Sequence, residues 1–216
     1  MMARSMRARA VFALFWFAGA AGLAGCALTS KADALSPRYF SPAPTGTVRS
    51  PRVLALRELR LGEVSAAAHL DERIAYRVGP SEMGFYEGQR WTENPEAYLR
   101  RALERDLFEE RGLSRVVSGE APIVDVELTG FEEVRGRPTR ARVSLTFSLR
   151  DERRSYLQRT LALEKMVEQK PGADAAQCLA QTLTATLDDA VRQLGDEVVA
   201  KLAMSPNGTD TARSSN

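Results

Sequence analysis

Two hydrophobic periods divide the chain. Val124, Val126 and Leu128 alternate with Asp125, Glu127 and Thr129, and Val143, Leu145, Phe147 and Leu149 alternate with Ser144, Thr146 and Ser148. A period of two gives each strand one buried and one wet face. A third, less regular run from Tyr156 to about Glu168 keeps Leu157, Leu161 and Leu163 on one parity. Gly136-Arg137-Pro138 and Asp151-Glu152-Arg153-Arg154 supply reversals between the runs, which predicts an antiparallel meander.

The second period is helical. Leu179, Leu183, Leu187, Val191, Leu194, Val198 and Leu202 step by three or four residues along one face of a helix expected over about Asp174 to Leu202. A shorter helix is expected from Pro95 to Gly112. Thr92 or Asn94 is placed to cap it, Pro95 suits the first helical position, and Leu99, Leu103 and Leu107 form its stripe, widened by Tyr98, Ala102 and Phe108. Ahead of it, Val53–Leu61 suits a buried strand, with a helix as the alternative. Ile74–Val78 and Met83–Tyr86 read as a hairpin around Gly79-Pro80-Ser81. Arg38-Tyr39-Phe40 reads as a short added strand, and Val116-Val117 as another short run. The pattern predicts an α/β domain: a mixed, largely antiparallel sheet with two long helices packed on it.

A different pattern opens the chain. Arg4, Arg7 and Arg9 precede an apolar run from Ala10 to Ala24, which has the form of a secretory signal and is shorter than the roughly 20 residues of a membrane-crossing helix. It ends in Leu23-Ala24-Gly25-Cys26, which is similar to a bacterial lipobox, so Cys26 is the expected lipid-attachment residue and the mature amino terminus. The expected organisation is a signal peptide over 1–25, a lipid-anchored flexible linker over 26–51 with Pro37, Pro42, Pro44, Pro51, Gly46 and scattered Ser and Thr, the folded domain over 52–203, and a disordered tail over 204–216.

Charge then changes meaning. Loss of Arg4, Arg7 and Arg9 leaves 27 basic against 28 acidic residues, so the basic balance of the whole chain supports no nucleic-acid partner. With Cys26 lipidated, Cys178 has no partner for an intrachain disulfide. The single histidine, His69, allows at most one imidazole base and no histidine-based metal cluster. Glu109-Glu110, Glu132-Glu133 and Asp188-Asp189 are expected to be solvated charges, and Cys178 a small hydrophobe. No catalytic constellation, metal site or phosphate loop is present, and the covalent lipid on Cys26 is the only attached group expected.

Two features are candidates for partner contact. Arg135, Arg137, Arg140 and Arg142 crowd the tip of the central hairpin, where they either meet anionic groups, such as lipid phosphates or an acidic partner, or discourage edge pairing. Phe85, Tyr86 and Trp91 are expected in a loop ahead of the first helix, as an anchor for a partner or as a cap on that helix. Edge strands and the long last helix are each able to pair between copies, so a homo-oligomer is a further partner expectation.

Leu70-Asp71, Ile74-Ala75-Tyr76-Arg77, Phe85-Tyr86, Trp91 and Pro95, followed by leucines at every fourth position, occur in an order that resembles the ABC-type transport auxiliary lipoproteins (PqiC-like). The resemblance covers roughly residues 36–203 and includes the lipobox. It implies a sandwich like the amino-terminal domain of TolB, with no known catalytic site. It also implies an outer-membrane lipoprotein that serves an MCE-type (mammalian-cell-entry) lipid transport system as a non-enzymatic component, with an MCE-domain protein and an ABC transporter as partners. Ala27 after Cys26, where an Asp would signal inner-membrane retention, implies a periplasm-facing outer-membrane location. The alternative is an envelope assembly or scaffolding lipoprotein outside lipid transport; a periplasmic hydrolase would need His69 to act as its base.

Overall fold

The computed structural model describes residues 36–42, 57–169 and 171–204. The leader, the Leu23–Cys26 tetrapeptide, most of the linker, Val53–Leu56 and the tail lie outside the described residues. The described chain forms an eight-stranded mixed sheet, open rather than closed into a barrel, with two helices. The elements are β1 (Arg38–Phe40), β2 (Glu58–Ala66), β3 (Arg73–Val78), β4 (Glu82–Trp91), α1 (Pro95–Glu104), β5 (Ser114–Arg115), β6 (Ile123–Val134), β7 (Arg140–Arg150), β8 (Ser155–Met166) and α2 (Ala175–Met204).

β6 organises the sheet. One of its edges pairs with β7 along its whole length, and β7 pairs in turn with β8, which gives the expected antiparallel meander. The other edge is shared: β2 lies parallel to the first half of β6 and β3 parallel to the second half. β2 and β3 thus act as one interrupted strand, linked by a turn that Ala67 ties to Leu128 through a 2.9 Å backbone hydrogen bond. β4 folds back on β3 in the expected hairpin, β1 adds to the end of β4 in parallel, and β5 adds to the start of β2.

Local departures from period two explain where the sequence pattern misleads. The strand expected over Val53–Leu61 begins at Glu58 and continues to Ala66. A register shift between Leu61 and Val64 breaks its alternation, so Gly62-Glu63 imitates a strand end. A second shift between Leu128 and Gly130 moves the buried parity of β6 from Val124, Val126 and Leu128 onto Phe131 and Glu133. The short strand expected at Val116-Val117 sits just ahead of them, at Ser114–Arg115, and Val117 is exposed.

Both helices lie on the sheet face to which Ala141, Val143, Leu145, Phe147 and Leu149 belong, α2 over β7 and β8 and α1 over β2 and β6. All seven residues of the period-four row on α2, from Leu179 to Leu202, are buried against it. Asp174 caps α2 by accepting the Gln177 N–H at 2.9 Å, and Arg38 holds the same carboxylate at 2.7 Å, tying β1 to the start of the helix. At the far end the Arg57 guanidinium donates to the Leu202 carbonyl. Thr184 and Thr186, buried in α2, satisfy their hydroxyls on the carbonyls of Ala180 and Thr182.

α1 starts at Pro95 as expected, but neither Thr92 nor Asn94 caps it with a side-chain bond to the helix. The Tyr98 hydroxyl closes the turn instead, accepting the Glu93 N–H at 3.0 Å and bonding Thr92 Oγ1 at 2.6 Å. α1 passes into a π-helical turn over Arg105–Glu110 before Gly112, at φ 71°, ends it. That wide turn buries both Asp106 and Leu107. Arg111 donates to Asp106 at 2.7 Å, to Asp196 at 2.7 Å and to the Arg192 carbonyl at 2.7 Å, joining the turn to α2. Burial pushes the Asp106 carboxyl above its usual range, and the Arg111 bond opposes that shift. The pair fits because α2 has Gly195 there: a Cβ would lie 2.1 Å from Asp106 Oδ2 and 2.5 Å from Arg111 Nε.

Gly195→Ala is therefore expected to cost about 2 kcal/mol, as overpacking at a closed contact does, lowering the Tm by roughly 4–8 °C. A thermal melt by circular dichroism indistinguishable from the parent chain would refute the tight docking of the π-turn on α2.

Candidate partner-contact site

The residues picked out by sequence do not share one surface. Phe85, Tyr86 and Trp91 all lie in β4 rather than in a loop, because the strand of the hairpin continues to Trp91. There it is fixed by the Trp91 N–H donating to the Glu72 carbonyl at 2.6 Å. Trp91 is 1% exposed and packs 4.9 Å from the Phe131 ring and 6.2 Å from that of Tyr98. It is a core residue with no surface to offer a partner, and it acts as the cap under α1. Phe85 sits opposite Ala75 on the sheet face turned away from the helices, with the Arg73 guanidinium 4.1 Å above its ring and Asp71 holding Arg73 at 2.7–3.1 Å. Tyr86, the next residue along an extended strand, faces the helix side.

Tyr86 belongs to a cluster that sequence reading did not find. Its hydroxyl donates to Glu133, its ring meets the edge of Tyr76 at 5.3 Å, and Arg135 lies 3.3 Å above Tyr76 while reaching Glu133 at 3.2 Å. Gly84 leaves room for this stack, since a Cβ there would fall 2.5 Å from the Tyr76 ring. Burial raises the Tyr86 pKa above the ordinary tyrosine value, the hydrogen bond to Glu133 raises it further, and Arg135 opposes both.

On the opposite face a second cluster forms around Glu132, which is 2% exposed. Arg77 grips it through Nε at 2.7 Å and Nη2 at 3.1 Å, and Arg142 stands 3.7 Å away. Arg142 also donates to Glu164 at 2.7 Å and Arg140 donates to it at 3.2 Å, which together hold the Glu164 carboxyl below its usual range. Glu132 and Glu133 are therefore buried and paired, not solvated as expected. Each is enclosed because β3 lies against the second half of β6 and brings Arg77 and Tyr76 beside it. Nothing in the local sequence marks a pairing across 55 residues.

The arginine hairpin is thereby largely neutralised from within. Arg135, Arg140 and Arg142 are committed to carboxylates of the sheet, whereas Arg137 stands exposed at the tip with no ionic partner among the described residues. The protection of an edge is not its role, since β6 and β7 are both flanked by other strands. A separate cleft of about 390 Å³ lies between α1 and α2, lined by Pro42, Tyr98, Arg101, Arg105, Leu187 and Asp188 among others. Its arginines are also engaged, Arg101 with Glu93 at 2.8 Å and Arg105 with Asp188 at 3.0 Å.

His69 is half-buried in the turn between β2 and β3, its Nε2 without a hydrogen-bond partner, and Cys178 is half-buried on α2. Among the described residues there is no group of three or more His, Cys, Asp or Glu side chains placed to hold a metal ion. Nor is any described helix long and apolar enough to cross a membrane.

The described residues form a two-layer α/β domain whose charged side chains are mostly paired with one another. Residues 40–199 match the family described as the ABC-type transport auxiliary lipoprotein component, and the chain belongs to that family. No curated protein matches the chain. Among solved structures, it is similar to a Xanthomonas campestris protein of the DUF330 family at 19% identity and TM-score 0.62, covering 76% of this chain and 96% of that one. It is also similar to an uncharacterized protein at 16% identity and TM-score 0.53, covering 74% and 99%. A minor lipoprotein from Acinetobacter baumannii aligns at 17% identity and TM-score 0.41, covering 67% and 93%.

Two outcomes follow from this geometry. Trp91→Ala is expected to cost about 3–5 kcal/mol, whereas Arg137→Glu should stay within about 0.5 kcal/mol of the parent; urea unfolding of the two variants decides. For Tyr86, the raised pKa in the fold means that its contribution to stability is present below the unfolded value of about 10 and is lost as pH rises through the folded value. Absorbance titration at 295 nm should therefore lose its latest-titrating component in Tyr86→Phe, and an unchanged late component would contradict the burial of that hydroxyl.

Proposed function

We propose that this chain is a lipid-anchored, non-enzymatic auxiliary component of an ABC/MCE-type lipid transport system, held in the outer membrane by acyl chains on Cys26 and facing the periplasm. The observation that carries this reading is the family match over residues 40–199, nearly the whole folded domain. The Leu23-Ala24-Gly25-Cys26 tetrapeptide supports the anchor, and Ala27 after it supports the outer membrane. The internal pairing of Glu132, Glu133, Glu164 and Asp106 with arginine or tyrosine supports a module that acts by position and contact. The anchor fixes one end of the mature chain, the linker sets its reach, and the domain docks an MCE-domain protein and its ABC transporter. Arg137 at the hairpin tip is the proposed cationic contact, and Phe85 on the open sheet face is proposed as a separate flanking contact.

Crosslinking and pull-down of the mature lipoprotein from native membranes tests this reading, with Cys26→Ser as the unanchored control. An MCE protein and its ABC transporter should be recovered, at lower yield from Cys26→Ser and from Arg137→Glu. Recovery of a different envelope machine would replace lipid transport with an assembly or scaffolding role.

A further inference from the structure

Among the described residues, the outer edge of β8 is a long run of strand backbone with no strand beside it. β8 pairs with β7 alone, and that ladder runs without a register shift from Arg140 opposite Met166 to Leu149 opposite Leu157. No Gly or Pro interrupts residues 155–166. The other side of the sheet is blunted: β5 covers the start of β2, β1 covers the end of β4, and the ladders of both β2 and β4 contain register shifts. Natural sheets manage exposed edges with such bulges, covers or edge charges.

Backbone direction along β8 follows from one bond. The Val167 N–H donates to the Thr139 carbonyl at 3.0 Å, in register with the rest of the ladder. Bonded and non-bonded pairs alternate in an antiparallel ladder. Odd residues therefore aim their N–H and C=O at β7, and Tyr156, Gln158, Thr160, Ala162, Glu164 and Met166 aim theirs outward. The two basic side chains that could guard this edge are drawn back onto α2: Arg159 pairs with Glu197 at 3.4 Å, and Lys165 pairs with Asp189 and donates to the Ala185 carbonyl at 3.1 Å.

We propose that this edge pairs with the β8 edge of a second copy of the chain, antiparallel about a two-fold axis, with Leu161 opposite Leu161. A two-fold interface uses the same patch twice, and β8 is the only edge among the described residues long and regular enough to match itself. Centring on Leu161 sets Thr160 opposite Ala162, Gln158 opposite Glu164 and Tyr156 opposite Met166, so all six outward-facing residues find partners. On the helix side Arg159 meets Leu163 and Lys165 meets Leu157, with no like charges opposed. Centring on Ala162 would set Arg159 against Lys165, which is unfavourable, and centring on Thr160 would leave Met166 unpaired. The pairing goes beyond the transport reading and does not rest on it, because the edge exists whatever the chain serves.

Oxidative crosslinking of the full chain in native membranes tests the pairing, in a Cys178→Ser background that keeps Cys26. The double variant Thr160→Cys with Ala162→Cys should give at least tenfold more disulfide-linked dimer on a non-reducing gel than either single variant, since only the double variant places cysteines opposite one another. Adding Gln158→Pro removes an outward N–H that β7 does not use, so it should abolish the dimer while shifting the thermal melt little. A monomeric double variant with a parental melt would overturn the proposal. So would a dimer that survives Gln158→Pro, or crosslinking to a different protein in place of a second copy.

Discussion

The fold depends on the seam between α2 and the sheet. A helix of about 45 Å lays an unbroken row from Leu179 to Leu202 on the alternating face of β7, where Val143, Leu145 and Leu149 are fully buried. Both surfaces are apolar, Leu and Val on the helix row and Ala141, Val143, Leu145, Phe147 and Leu149 on the strand, so the contact is broad and carries no charge. The rest of the domain is arranged so that this seam stays closed. Arg38 with Asp174 at one end and Arg57 with Leu202 at the other fasten the helix termini, and the Asp106–Arg111 pair holds α1 against Gly195 in between. Cys178 has no disulfide partner in the described chain, so packing and these polar ties bear the load.

Charge in this molecule is spent internally. Glu132, Glu133 and Asp106 are buried, and each is matched by a guanidinium or a phenol within hydrogen-bond reach. Removing one member of such a buried pair is costly, because the other is left without compensation. These pairs therefore fix geometry more than they add stability: Arg77 with Glu132 sets the parallel register of β3 on β6, and Arg150 with Asp125 ties β7 across the start of β6. An arginine-rich hairpin that looks basic in sequence becomes a ribbon of internal pairs with a single free cation, Arg137, at its tip. At the hairpin itself, free positive charge is thus confined to its tip.

What could be read from the sequence was what repeats. The meander, the α2 row, the Ile74–Tyr86 hairpin, the start of α1 at Pro95 and its end at Gly112 all follow from periods of two or four and from turn chemistry, and the fold has each of them. Features that depend on a break in period were hidden. The shift after Leu128 in β6 and the π-turn at Arg105–Glu110 each insert residues that local patterns do not announce. Long-range partners were hidden too: Trp91 looked like a loop aromatic because nothing nearby in sequence indicates Phe131, and Tyr86 gave no sign of Glu133. The family resemblance was legible through the order of short motifs, and the match over residues 40–199 agrees with it.

The same distinction explains how the fold persists in solved structures that share only 19% and 16% of their residues with this chain. A seam of aliphatic rows tolerates exchange among Leu, Val, Ile and Ala so long as volume and period are kept. The layers are thus specified by pattern rather than by identity. The polar pairs are different, because each needs two named residues brought together by topology, as Arg77 and Glu132 are across 55 positions of chain. Contact surfaces built from side chains are free to diverge while the core pattern is kept, whereas a contact built from backbone, such as a strand edge, goes with the fold itself. The geometry of that second kind of surface is set by the same ladder that forms the sheet.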